Sequence, residues 1–180
     1  ADNAILINTG VTPNTTPWPR IQDYAADKKL STFLIDNLLQ LNDPRIAVWA
    51  TKAKDLKGND IGYKGVPSGY AFNDSSIKYT PSAPSNTVAV APMKNIIMTY
   101  EELQFIKAEL AQKGLIAGDA KSFYEDGVKT SMEVWTLTLP TDYFSNSYAK
   151  YDGTLERIML QKYLSLYFTD NQQWMEFRRT

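Results

Sequence analysis

The 180-residue chain contains no cysteine and no histidine. Without cysteine there is no disulfide, no thiol nucleophile and no cysteine-based zinc site. Without histidine the Ser-His-Asp triad and the commonest metal ligand are also excluded. Only carboxylates, Lys, Tyr and Ser are left for chemistry, and nothing in the sequence calls for a cofactor. The net charge is −1, and no basic stripe runs along the chain. That argues against nucleic acid as a partner. No run is long and apolar enough to span a bilayer. Residues 1–10 lack the basic start and extended apolar core of a signal peptide.

What is present divides into three textures. Residues 1–30 read as loop, because "TGVTPNTTPWPRIQDY" carries three prolines among Thr and Asn. Residues 31–42 read as a short helix capped by Ser31, with Phe33, Leu34, Leu38 and Leu41 on its apolar face. Pro44 ends it by disfavouring the helical region for Asp43, and "DPR" reads as a terminator with a local ion pair. Residues 49–92 are rich in Gly and Pro, with short strands expected at 47–53 and 87–91. Tyr63, Tyr70, Phe72 and Tyr79 lie in this zone and argue against a plain linker.

Residues 96–180 predict helices. The first opens on a capping box of Thr99 and Glu102, buries Leu103, Ile106, Leu110 and Ala111, and stops at Gly114. The second covers about 118–134, capped by Asp119, with Phe123, Tyr124, Val128, Met132 and Trp135 apolar. A third runs from Thr154 to about Phe168, and Thr169 or Asp170 caps a fourth. Ala108, Ala120, Tyr124 and Gly127 stand at the intervals of a tetratricopeptide helix pair. The expected fold is therefore mainly α: tetratricopeptide-like helix pairs with long irregular loops. Such pairs bury their faces on neighbouring pairs, and at least three are usual. The expectation is a single portion of a larger protein, loop-rich over 1–95 and built of helix pairs over 96–180.

Several segments together resemble the carboxy-terminal half of the SusD/RagB family. They are 98–109, 124–132, 158–166 and 174–180, joined by "LLQLNDPRIAVWA" and "YKGVPSGY". The resemblance covers residues 33–180. It implies a SusD-like α-α superhelix portion of an outer-membrane, surface-exposed glycan-binding lipoprotein. Such a protein caps a SusC-like TonB-dependent transporter, takes up nutrient glycan and does no chemistry. Family members are longer and begin at a lipid-modified cysteine that this chain lacks. Membrane association through such an anchor would lie outside it.

A glycan site needs exposed rings for the C–H faces of sugars, with polar neighbours for the hydroxyls. Trp18, between prolines, and Tyr63, Tyr70 and Tyr79 are the candidate rings. Lys64, Asn73 and Asp74 are their polar company. Trp49, Trp135 and Trp174 are read as packing residues, the latter two as core. Arg178 and Arg179 are read as structural partners of Glu156 or Glu176. The carboxylate pairs Glu101–Glu102 and Asp23–Asp27 are the only hint of a glycoside hydrolase, and the capping box explains Glu102 better. The alternative function is a tetratricopeptide-type scaffold for protein partners. No polar repeat on a helix face over 98–134 favours it.

Overall fold

The computed structural model describes residues 2–15, 28–69, 76–169 and 171–180. In chain order the elements are β1 (Ala4–Asn8), α1 (Thr32–Gln40), α2 (Arg45–Trp49), β2 (Lys54–Asp55), β3 (Tyr79–Thr80) and α3 (Asn86–Ala89). They continue with β4 (Met93–Met98), α4 (Tyr100–Gln112), α5 (Ala120–Val134), a 3-10 turn at Tyr143–Ser145, α6 (Leu155–Ser165) and α7 (Gln172–Arg179). Among the described residues the fold is mainly helical, with two two-stranded sheets, β1–β4 and β2–β3. The chain forms two compact units: Ile7–Met93, and Ala1–Leu6 together with Lys94–Thr180.

In the unit Ile7–Met93, the Ser31 hydroxyl caps α1 by accepting from the Leu34 amide at 3.2 Å. Leu34, Ile35, Leu38 and Leu41 are buried, whereas Phe33 is 55% exposed. Each residue turns the helix by about 100°, which carries Phe33 outside the arc that Ile35 completes. The helix ends with Asn42 at φ 51. The Asp43 amide donates to the Leu38 carbonyl and the Asn42 amide to Leu39, closing a Schellman turn.

Pro44 then opens a new helix rather than leading into a strand, its ring setting φ at −66. Residues 47–49 of the strand expected at 47–53 lie in α2 and Ala50 pairs with Pro84 in an isolated bridge, while residues 87–89 of the strand expected at 87–91 lie in α3. What commits "RIAVW" to helix is Asp43. Its carboxylate accepts from the Arg45 amide at 3.0 Å, from Nε at 2.9 Å and from Nη2 at 2.6 Å. Both side chains are fully buried. The guanidinium sits 5.2 Å from the centroid of the Trp49 ring, also buried. The "DPR" ion pair is thus a core element.

In the other unit, α4 ends as predicted at Gly114, which takes φ +70 and closes a Schellman turn through the Leu115 amide and the Leu110 carbonyl. Asp119 caps α5 by accepting from the Lys121 and Ser122 amides. Thr154 caps α6 by accepting from Arg157. The capping box does not form: Thr99 occupies the N-cap position without a side-chain bond. Asn3 serves the Tyr100 amide instead, at 2.8 Å. Glu102 lies in the field of Lys162 and Glu176.

The buried face of α4 also differs from expectation. It carries Glu101, Gln104, Phe105, Ala108 and Glu109, while Leu103 is exposed. The reason is the partner helix. Phe105 meets Tyr124 edge-on at 6.2 Å, and a Cβ on Gly127 would come within 3.0 Å of the Phe105 ring. Small residues set this approach, so the aromatic face of α4 turns inward. On α5, Tyr124, Val128, Met132 and Trp135 are buried as expected, and Phe123 is half-buried. The Tyr124 hydroxyl donates to the Ala149 carbonyl at 2.7 Å.

The N-cap position of the last helix, α7, is Asn171, not Thr169. Thr169 is occupied by donating its hydroxyl to the Leu166 carbonyl; Asp170 lies outside the described residues. The polar side of α7 faces its unit. Gln173 donates to the Tyr163 carbonyl at 2.7 Å, Glu176 pairs with Lys162 at 2.8 Å and Arg179 with Glu109 at 2.7 Å. The apolar side faces outward: Trp174 is 59% and Phe177 74% exposed, their rings stacked 6.1 Å apart. Trp174 is therefore not a core residue of this unit, contrary to the sequence reading.

Candidate functional site

Of the seven candidate site residues, Trp18, Tyr70, Asn73 and Asp74 lie outside the described residues. Tyr63, Lys64 and Tyr79 are described, and the backbone brings Lys64 and Tyr79 together. Residues 64–66 are held on two sides. The Val66 amide donates to the Leu30 carbonyl and the Thr32 amide to Val66, both at 2.9 Å. The Ser82 amide donates to the Lys64 carbonyl at 2.8 Å. The Lys64 amide in turn donates to the Ser82 hydroxyl at 3.1 Å. Gly65 is required at the crossing, because a Cβ there would lie 2.4 Å from the Ser31 and Thr32 backbone. Ser82 is fully buried and holds the frame together. Nothing in its sequence context distinguishes it from the neighbouring loop serines.

The Tyr79 ring is half-buried. Its hydroxyl donates to the Gly65 carbonyl at 2.8 Å, and the Lys64 ammonium stands 5.5 Å from the ring centroid. Tyr79 is thus anchored at its polar end and covered by a cation on one ring face. Lys64 itself is exposed. Tyr63 is half-buried and makes no hydrogen bond or ring contact among the described residues.

Close by, the β2 hairpin turns tightly at Asp55. Its carboxylate accepts from the Lys57 and Asn59 amides, each at 2.8 Å, and from the Asn59 side chain at 2.9 Å. The Asn59 side-chain bond is the largest of the effects that hold the Asp55 carboxyl below its ordinary range.

The strongest electrostatic feature belongs to α4, α6 and α7. Glu109 accepts both Arg179 Nη atoms, at 2.9 and 2.7 Å, and the Lys113 ammonium at 2.5 Å. The Arg179 bonds are the main reason its carboxyl is lowered to about 2. The same bonds, led by Glu109, raise Arg179. The sequence pairing of Arg179 with Glu176 is present at 2.8 Å, but Glu109, 70 residues away, was not legible. Burial raises the Glu102 carboxyl, and Glu101 is buried on the same helix. Asp23 and Asp27 lie outside the described residues. Among the described residues, no group of three or more acidic side chains could hold a metal ion. No helix among them is long and apolar enough to cross a membrane.

No curated protein matches the chain. Solved structures do. An outer-membrane protein of Bacteroides vulgatus, assigned provisionally to nutrient binding, is 25% identical with a TM-score of 0.81, over 98% of this chain and 45% of that one. A chitin-binding protein is 26% identical with a TM-score of 0.71, over 83% of this chain and 37% of that one. A SusD homologue of Bacteroides fragilis shares the fold at 22% identity and a TM-score of 0.74, over 98% of this chain and 44% of that one. The chain thus spans less than half the length of each of these structures. The sequence pattern of a SusD-like family, described as starch-binding and associating with the outer membrane, matches residues 1–180. With the helical fold and the segments at 98–109, 124–132, 158–166 and 174–180, that match places the chain in the SusD-like family.

Proposed function

We propose that this chain is a portion of a surface-exposed outer-membrane protein that captures glycan for nutrient uptake and works with a SusC-like TonB-dependent transporter. The observation that carries the reading is the match to the SusD-like family along all 180 residues. The likeness to a chitin-binding protein supports a carbohydrate ligand. In this reading the chain binds and does not catalyse. It is one portion of the whole protein, with its ligand-facing residues in the loop-rich part over 1–95. The helices over 96–180 stack as tetratricopeptide-like pairs. The contact of Phe105 with Tyr124 and Gly127 supports that view of α4 and α5.

Tyr63, Lys64 and Tyr79 form the described part of the site, and Trp18, Tyr70, Asn73 and Asp74 complete the set. Tyr63 supplies a ring, Lys64 and Tyr79 a polar edge. Sugar stacking on one ring is worth about 1 kcal/mol, so Tyr63→Ala should weaken binding about fivefold. The test is affinity electrophoresis of the chain through gels carrying starch, chitin derivatives, xylan, mannan, fructan or pectin, with albumin as reference. Retardation in one gel, reduced by Tyr63→Ala, is the expected result. Free mobility in every gel would reject the reading and favour a scaffold for protein partners.

A further inference from the structure

Of the candidate residues, Tyr79 is the one whose surroundings conflict with direct contact to a sugar. A tyrosine that serves a sugar keeps its ring for C–H groups and its hydroxyl for sugar oxygens. The Tyr79 hydroxyl is already donated to the Gly65 carbonyl, at 2.8 Å. The ring is half-buried and carries the Lys64 ammonium 5.5 Å from its centroid. Its backbone belongs to β3, where Tyr79 is paired in register with Asp55. Both ends of Tyr79 are thus committed within the unit Ile7–Met93.

Lys64 is the reverse case. It is exposed, and its side chain forms no ion pair or hydrogen bond among the described residues. An exposed lysine ordinarily samples many rotamers. Here the root of the side chain is fixed. The Lys64 amide donates to the Ser82 hydroxyl at 3.1 Å, and the Lys64 carbonyl accepts from the Ser82 amide at 2.8 Å. The next residue, Gly65, passes so close to the Ser31 and Thr32 backbone that no Cβ fits. The tip of the side chain is held by the Tyr79 ring. The means of holding matters. Glu176 holds the Lys162 ammonium by consuming a donor, at 2.8 Å, and Glu109 does the same to Lys113. An aromatic ring holds a cation by its quadrupole and leaves the N–H groups on the far side for oxygen acceptors.

We propose that Tyr79 is a positioning residue: it does not touch the glycan but holds the Lys64 ammonium where its N–H groups donate to sugar hydroxyl oxygens. This inference rests on the glycan reading above and divides the labour within that site. Lys64 makes the contact, Tyr79 aims it, and Gly65 and Ser82 fix both.

The test is a double-mutant cycle on glycan affinity, read from mobility against polymer concentration in the starch, chitin-derivative, xylan, mannan, fructan and pectin gels. Lys64→Met should weaken binding about fivefold, as loss of one charge-assisted hydrogen bond in solvent gives. Tyr79→Leu should weaken it about threefold, the worth of an exposed cation–π contact. In the Lys64→Met background, Tyr79→Leu should change nothing further. Tyr79→Phe keeps the ring beneath the ammonium and should retain more affinity than Tyr79→Leu. An equal loss from Tyr79→Leu in both backgrounds overturns the inference. A ring that touches sugar, or one that merely supports the unit, acts whether or not Lys64 is present. Undiminished binding by Lys64→Met overturns it as well. Either outcome leaves the glycan reading standing, whereas free mobility of the unsubstituted chain in every gel overturns both. A second readout does not depend on how a Tyr79 variant folds. By NMR of the unsubstituted chain, the ε-methylene protons of Lys64 should lie upfield through the Tyr79 ring current. Random-coil shifts there overturn the contact on which the inference stands.

Discussion

Replacing Gly65 with alanine tests how the candidate site is built. The added Cβ would stand 2.4 Å from Ser31 C and Thr32 N, and 2.5 Å from Ser31 O. These are backbone atoms, so no side-chain rotation relieves the overlap. The strands must separate. That weakens the Val66-to-Leu30 and Thr32-to-Val66 bonds, both 2.9 Å, and the bond from the Tyr79 hydroxyl to Gly65. Overpacking of this kind costs about 2 kcal/mol, and the two weakened backbone-to-backbone bonds add about 1 kcal/mol each. The total of about 4 kcal/mol corresponds to a fall of about 2 M in the urea midpoint at an m-value of about 2 kcal/mol per M. Gly58→Ala is the control. Its Cβ meets nothing within 4 Å, and only φ +88 opposes it. That strain costs about 1 kcal/mol, a shift of about 0.5 M. The assay is urea unfolding by circular dichroism, with amide exchange at Thr32 and Val66 read by NMR. Gly65→Ala should speed both exchanges and weaken any glycan binding that uses Lys64 and Tyr79. A midpoint shift no larger than that of Gly58→Ala would refute the steric account.

Asp43→Ala leaves the fully buried Arg45 guanidinium without its carboxylate. It should destabilise the unit Ile7–Met93 by about 3–5 kcal/mol in thermal unfolding, and adding Arg45→Met should recover part of that loss. Glu109 has a folded pKa of about 2, below its unfolded value, so its contribution is fully present above about pH 5 and disappears as pH falls towards 2. Glu109→Gln should lower stability at pH 7 and flatten the fall between pH 5 and 2, as measured by urea midpoints at each pH. Thr136 holds φ 62 where α5 closes, a conformation that suits glycine. Thr136→Gly should raise the melting temperature of its unit by about 2–4 °C, as a gain near 1 kcal/mol would give.

Features that depend on nearby residues were legible in the sequence. Ser31 and Asp119 cap the helices they were expected to cap, and Thr154 caps the helix expected to start there, because each oxygen bonds an amide two or three positions ahead. Gly114 stops α4 for an equally local reason. The inward face of α4 was not legible. Leu103 is the more apolar residue, but Tyr124 and Gly127 select Phe105 and Ala108. The segment "RIAVW" reads as strand by propensity and folds as helix, because Asp43 and Arg45 are buried together at its start. For the site, loop texture pointed to Tyr63, Lys64 and Tyr79. It did not show that Gly65 occupies the Tyr79 hydroxyl.

The last helix has a consequence for reading sequence variation. Its grip on α4 and α6 comes from Gln173, Glu176 and Arg179, while Trp174, Met175 and Phe177 point away from that unit. The two sides of α7 therefore answer to different constraints. In a saturation scan, changes at 173, 176 and 179 report on how the unit itself holds together. Tolerance at 174, 175 and 177 measures something separate, namely whatever surface those three side chains meet in the working protein. Eight residues of one helix thus record two independent histories, and the spacing of the tolerant positions tells them apart.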